Sequence, residues 1–185
     1  MTTNIRSERF AGEQAGFRRP ALLAMLEARS VAVVGASARS GSFGARMLSE
    51  AGTSPAKPVI YPVNPRYDEI DGRRCYASLG DLPEPVDLAL LGVPDASLEQ
   101  QLALAAETGC RSAVIFGNAA VADRQRLAVT ATSAGMELCG AGCMGFANVG
   151  YGLRAMGYIE PDPLPAGPVA LVTHSGSVFS ALLRT

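Results

Sequence analysis

The chain has 185 residues, enough for one ordinary domain or for one domain and part of another. Apolar residues make up 48 % of it and charged residues 18 %, the balance of a globular protein with a real core and not of a disordered one. With 16 basic against 17 acidic residues the formal charge is −1, which excludes a global field for nucleic acid or an acidic membrane surface, so any anion site has to be local.

Residues 1–19, "MTTNIRSERFAGEQAGFRR", are polar and without period, and are expected to form a mobile N-terminal arm. Pro20 then opens a short helix, "PALLAMLEARS", at a first-turn position where its missing N–H costs nothing. From Val31 onward short apolar runs recur: "VAVVG" (31–35), "PVIYPV" (58–63), "VDLALLGV" (86–93), "RSAVIFG" (111–117) and "MELCG" (136–140). Each is continuous and not alternating, as expected of strands covered on both faces.

Amphipathic segments of helical length lie between several of them. In "DASLEQQLALAAETG" (95–109), Ser97 is the expected N-cap with Gln100 three residues later, and Gly109 is the stop. "VADRQRLAVTATSAG" (121–135) ends the same way at Gly135. Strand, helix and strand in alternation predict a Rossmann-like, doubly wound α/β domain with a parallel sheet. After Gly140 the pattern breaks: 141–167 is rich in glycine, aromatics and proline, and is expected to be a long irregular loop and a linker. "GPVALVTHSGSVFSALLRT" restarts the theme with a strand at about 168–173, a Ser-Gly-Ser turn and a helix, which predicts the truncated start of a second α/β domain over 166–185, after a first domain over 20–165.

No apolar run approaches the roughly 20 residues that span a bilayer, and the N-terminus lacks the pattern of a secretory signal, so a cytoplasmic location is expected. In that compartment Cys75, Cys110, Cys139 and Cys143 are expected as thiols. Cys139 and Cys143 have the look of a metal pair, but no second pair accompanies them and His174 is the only histidine, so small buried side chains are the plainer reading and no metal is expected.

The stretch "VAVVGASARSGSFGARML" (31–48) reads as a strand, a phosphate-binding turn and a helix. Gly35 ends the strand, Gly41 and Gly44 frame the turn, Ser37, Ser40 and Ser42 add hydroxyls, and Arg39 and Arg46 are available as cations. The gap from Gly35 to Gly41 does not fit G-x-G-x-x-G. About 20 residues past the loop, where an NAD site keeps an acid for the ribose, the chain reads Pro62, Val63, Asn64, Pro65. Asp68 and Glu69 come too late, and no Gly-Lys-Ser/Thr follows the glycines, so a Walker loop is absent as well. What remains is a phosphate loop beside a turn carrying Asn64 and Arg66, and an Arg there meets a phosphate that a carboxylate would repel.

"SVAVVGASARSGSFG", "PVIYPVNPRYDEIDGRRCYASLGDLPEPVDLALLGVP" and "GPVALVTHSGSVFSALL" together resemble the CoA-binding domain of the ADP-forming acyl-CoA (acetyl-CoA) synthetases, relatives of the succinyl-CoA synthetase α subunit. The resemblance implies that Ser40, Gly41, Ser42 and Phe43 cradle the pyrophosphate of coenzyme A, so that a Val at Gly41 fills its space. It further implies that Asn64, Pro65 and Arg66 lie beside the nucleotide end, that Val93 and Pro94 flank the nucleotide, and that Phe116, Gly117 and Asn118 lie along the pantetheine path.

Enzymes of this kind join a carboxylic acid to CoA with ATP, through an acyl phosphate and a phosphohistidine. The resemblance implies that this histidine lies in a flavodoxin-like next domain, and that ATP and magnesium serve only the complete enzyme, with further C-terminal domains or a separate ATP-grasp subunit. Gly140 is kept from the family pattern, but Ala141 and Gly142 stand where it has Pro and Asn. His174 is read as a strand-end residue beside a second phosphate turn, Ser175, Gly176 and Ser177, and not as the nucleophile; no residue of this chain is expected to be catalytic by itself. The expected function is therefore the CoA-binding portion of such a ligase, with a stand-alone CoA-binding module and an NAD-dependent oxidoreductase domain as the alternatives.

Overall fold

The structure, a computed structural model, describes residues 19–159 and 164–183; the expected N-terminal arm falls, but for Arg19, outside the described residues. Helix α1 (Arg19–Leu26) leads into strand β1 (Ser30–Val34), followed by α2 (Phe43–Gly52) and β2 (Val59–Val63). A small hairpin, β3 (Glu69–Ile70) and β4 (Arg73–Arg74), turns through Asp71 and Gly72, both at positive φ, as a two-residue hairpin turn requires. After it come β5 (Leu88–Leu91), α3 (Asp95–Glu107), β6 (Ser112–Ile115), α4 (Val121–Ala134) and β7 (Glu137–Cys139). The chain then forms β8 (Gly145–Asn148), β9 (Leu153–Met156) and α5 (Gly176–Leu183).

Strands β2, β1, β5, β6 and β7, in that order, make one five-stranded parallel sheet, the Rossmann-like arrangement expected. Continuity of apolar residues in the strands has the expected cause. Successive side chains of β1 enter opposite cores: Ala32 and Val34 face Leu98 and Leu102 of α3 and Leu127 of α4, while Val31 and Val33 face Met47 and Leu48 of α2. On the α3 and α4 side, Ala32, Ala89 and Ala113 are register partners across three strands, a row of small side chains over which the buried Leu98 and Leu102 pack.

Three local expectations need correction. Ser97 is not the N-cap of α3: the cap position is Pro94, with no side-chain hydrogen bond, and Ser97 lies in the first turn. Pro94, three residues past the end of β5, sets the entry backbone at φ −56, so the helix starts earlier than the Ser-x-x-Gln spacing suggests. The segment 141–167 is not a plain loop, because β8 and β9 form an antiparallel hairpin within it, and Leu153 to Met156 are all buried against α2. Its two strands are too short, and too mixed with Gly, Asn and Arg, to show a period.

The hairpin is anchored by polar contacts. Asn148 Nδ2 donates to the Leu26 carbonyl at 2.9 Å, Ser54 Oγ accepts from the Arg154 amide at 2.9 Å, and the Arg154 guanidinium meets Glu50 at 3.3 Å with both side chains buried. Finally, no strand forms at 168–173, where Val169 and Val172 are 84 % and 99 % exposed. Among the described residues no strand runs alongside it, and a strand without a ladder has nothing to bond. The helix expected after it is present as α5.

At the opposite end of the sheet from the strand exits, Cys110 lies buried with its S–H directed at the Ser112 carbonyl at 3.2 Å. Burial pushes this thiol up to about 11 from its ordinary 9.0. The neutral form is therefore favoured by folding, and its contribution is complete below pH 9.0 and lost as pH rises through about 11. Urea melts between these two pH values should show stability falling with pH, and Cys110→Ala should flatten that decline.

Candidate functional site

Strand β1 lies between β2 and β5, which the chain reaches in opposite directions, and a crevice opens at such a switch point beyond the strand exits. A cleft of about 820 Å³ sits there, walled by the exits of β1, β2 and β5 and by the start of α2.

The β1 exit is built by close backbone approach. Gly35, at φ +88, donates its N–H to the Val63 carbonyl at 2.9 Å, and a Cβ on it would run into the Gly92 carbonyl oxygen. Ser42 caps α2 with extended backbone, its Oγ accepting from the Ala45 amide at 3.2 Å. The first bond of the helix ladder runs from the Arg46 amide to the Ser42 carbonyl. The amides of Phe43 and Gly44 therefore precede it, at the positive end of the helix dipole and beside the cleft. Gly44 is pressed against the loop before it: a Cβ there would overlap the Gly35 carbonyl oxygen and come within 3.0 Å of the Ser37 amide.

The β2 exit is held by Asn64. Its Nδ2 donates to the Ala36 carbonyl at 2.7 Å, tying this turn to the β1 exit, and its Oδ1 accepts from the Arg66 amide at 3.0 Å. Asn64 is thus a clip that presents Arg66, and its side chain is committed to the two loops. Tyr67 reaches the hydroxyl of Ser37 at 3.4 Å. Arg39 and Arg66 both line the cleft, and no carboxylate is among its lining residues. An anionic ligand suits that combination of two guanidinium groups, several hydroxyls and a helix start.

Of the residues expected at the site, Gly35, Ser37, Ser42, Phe43, Gly44, Asn64, Pro65, Arg66, Val93 and Pro94 line the cleft. Ser40 and Gly41 do not line it; a Cβ on Gly41 meets nothing within 4 Å, and its carbonyl accepts from Arg46 at 2.8 Å. Within the protein itself it is Gly44, and not Gly41, whose Cβ would meet backbone. Arg46 is occupied behind the loop, with its guanidinium 5.6 Å from the centroid of the Phe43 ring.

Phe116 packs edge-on against Phe43 at 5.2 Å, outside the cleft lining. The carbonyls of Gly117 and Asn118 are taken up by the Gly142 amide at 2.7 Å and by Arg124 at 2.8 Å. Ser175, Gly176 and Ser177 form the start of α5, apart from the cleft lining; Ser175 Oγ accepts from the Val178 amide at 3.4 Å, and His174 is exposed. Sequence reasoning missed Tyr67, Ser78, Ser97 and Gln101 as lining residues. Tyr67 closes the same Asn-Pro-Arg-Tyr turn, and Ser97 and Gln101 share a helix face at i and i+4, a signal that was readable.

The CoA binding domain family matches residues 29–149. The chain belongs to this family. It is 34 % identical over 177 residues to a trans-feruloyl-CoA synthase from an unknown prokaryotic organism, an alignment that takes in 85 % of this chain and 24 % of that protein. It is 32 % identical over 173 residues to the α subunit of an ADP-forming acetate–CoA ligase from Pyrococcus furiosus, with 88 % of this chain and 37 % of that subunit aligned. Acetyl-coenzyme A synthetase 1 of Ca. Korarchaeum cryptofilum, solved with phosphate and ADP, superimposes with a TM-score of 0.81 at 27 % identity, over 88 % of this chain and 36 % of that one. The chain thus spans between about a quarter and somewhat over a third of the length of these proteins. The resemblance read from the loop and the Asn-Pro-x-Tyr turn is borne out.

Proposed function

We propose that this chain is the CoA-binding portion of an NDP-forming acyl-CoA synthetase, with coenzyme A held in the cleft at the β1, β2 and β5 exits. The observation that carries the reading is the pairing of Arg39 and Arg66 with the open start of α2, in a cleft lined by no acid among the described residues. CoA is a polyanion with an adenine at one end. The amides of Phe43 and Gly44 and the hydroxyls of Ser37 and Ser42 would receive its pyrophosphate, Arg66 and Arg39 would neutralise phosphate charge, and Val93 and Pro94 would pack against the nucleotide. An NAD ribose asks for a carboxylate at the β2 exit, where Asn64 stands with its side chain already used. What CoA supplies when bound is a thiol to be acylated. Acyl transfer, the carboxylic acid substrate and the use of ATP would belong to further domains or a partner subunit, as the names of the longer relatives suggest; 166–183 would begin the next such domain.

Calorimetric titration with CoA and with dephospho-CoA tests this. Saturable binding of CoA is expected, with dephospho-CoA weaker. Arg66→Ala should lower CoA affinity by about tenfold to a hundredfold, the worth of one charge-assisted hydrogen bond, and should bring the two ligands to nearly equal affinity. Absence of heat at millimolar CoA would sink the proposal.

A further inference from the structure

Cys139, the last residue of β7, and Cys143, across a three-residue turn, hold their sulfurs 3.9 Å apart. We infer that Cys139 and Cys143 are a dithiol that reacts with small-molecule disulfides and closes to an intramolecular disulfide. Three observations place the reactivity on this pair and not on the other thiols.

The first is contact. The two sulfurs already touch, and an S–S bond of about 2.05 Å needs only that the turn yield. That turn contains Gly140 at φ +111 and Gly142 at φ +75, both exposed, and is held by its backbone, at the Gly142 amide and beside the Ile115 carbonyl, and not by large side chains. The second is access. Cys75 and Cys110 are buried, whereas Cys139 and Cys143 are only half-buried, and Met144 beside them is 44 % exposed. The third is the arrangement of donors. Cys139 directs its S–H at the Cys143 sulfur, which outweighs the opposing effect of burial and holds the Cys143 thiol below its ordinary range, while Cys143 when protonated has the Ile115 carbonyl as its acceptor at 3.4 Å; the same Cys139 bond, with burial, raises Cys139. Among the described residues no group of three or more His, Cys, Asp or Glu is placed to hold a metal.

The exchange balances in two steps. The Cys143 thiolate attacks one sulfur of RS–SR, forming Cys143–S–SR as the old S–S bond breaks, and the departing RS⁻ takes up the proton Cys143 released. The Cys139 sulfur then attacks Cys143 Sγ, expelling the second RS⁻, which takes the proton of Cys139. Two protein thiols are oxidised by two electrons and one disulfide is reduced to two thiols. Closure would pin the turn whose Gly142 amide holds the Gly117 carbonyl, next to the Phe116 and Phe43 pair at the cleft wall.

Trypsin isolates the pair on one peptide, residues 127–154, while Cys75 and Cys110 share peptide 75–111. The test treats the chain with glutathione disulfide at neutral pH, quenches with acid and maps these peptides by mass spectrometry. Wild type is expected to give peptide 127–154 lighter by two hydrogens and free of adduct. Cys139→Ser should retain one glutathionyl group on Cys143, and Cys143→Ser and Cys143→Ala should both react about tenfold more slowly or less. A wild-type peptide that keeps both thiols, one that accumulates a stable glutathione adduct, or Cys143 variants that react as fast as wild type would each overturn the inference. Because the readout requires no CoA, its failure is distinct from failure of the CoA-binding proposal.

Discussion

Gly44→Val is expected to destabilise the fold by about 3 kcal/mol and to weaken CoA binding by about a hundredfold. Gly44 sits one residue inside α2, where a Cβ would overlap the Gly35 carbonyl oxygen and crowd the backbone of Ala36 and Ser37. None of these contacts is the far end of a flexible side chain, so relief requires the whole first turn of α2 to withdraw from the loop. That movement carries the amides of Phe43 and Gly44 away from the cleft. Losing one of two charge-assisted hydrogen bonds, each worth about 1.5–3 kcal/mol, accounts for the affinity change. Chemical denaturation and calorimetry with CoA measure the two effects. Gly41→Ala is the stability control: a Cβ there meets no protein atom within 4 Å, so only the strain of φ +72 remains, about 1 kcal/mol. Equal CoA affinity in wild type and Gly44→Val would show that the α2 start is not the anion site.

Glu50→Ala is expected to cost about 3–5 kcal/mol of folding stability. Glu50 on α2 and Arg154 on β9 are 2 % and 5 % exposed, and Glu50 Oε2 lies 3.3 Å from the guanidinium. Deleting the carboxylate removes an ion-pair partner from a guanidinium that is itself buried. The double variant Glu50→Leu with Arg154→Met should recover most of the loss, because it removes both charges and their desolvation together. Thermal melts of the three variants decide this. If Glu50→Ala melts within a degree or two of wild type, the pair is not what holds the hairpin to α2.

The parallel sheet was legible because its strands are covered on both faces, which writes continuous apolar runs such as "VAVVG" and "VDLALLGV" into the chain. The β1 exit was legible through its glycines, which backbone crowding demands. The β8–β9 hairpin was not, since the contacts that seat it, such as Arg154 with Glu50 across 104 residues, fall in no local window. In the cleft, Arg39, Arg66 and Ser42 could be read from the turns that carry them. The division of labour between them could not: Asn64 and Arg46 are equally polar in sequence, yet the fold spends both on loop backbone and leaves the cleft to their neighbours.

One consequence concerns how this sheet can be extended by another molecule. In β2 the Pro62 carbonyl accepts from the Tyr76 amide and the Asn64 amide donates to the Tyr76 carbonyl, so these positions point their backbone outward. Pro62 offers no N–H on that side, and Tyr76 occupies what remains in a short parallel bridge with Val63. Strand addition is blocked at these positions. β7 is the other border of the sheet, three residues long with Cys139 at its end, and an incoming strand would have to align on it.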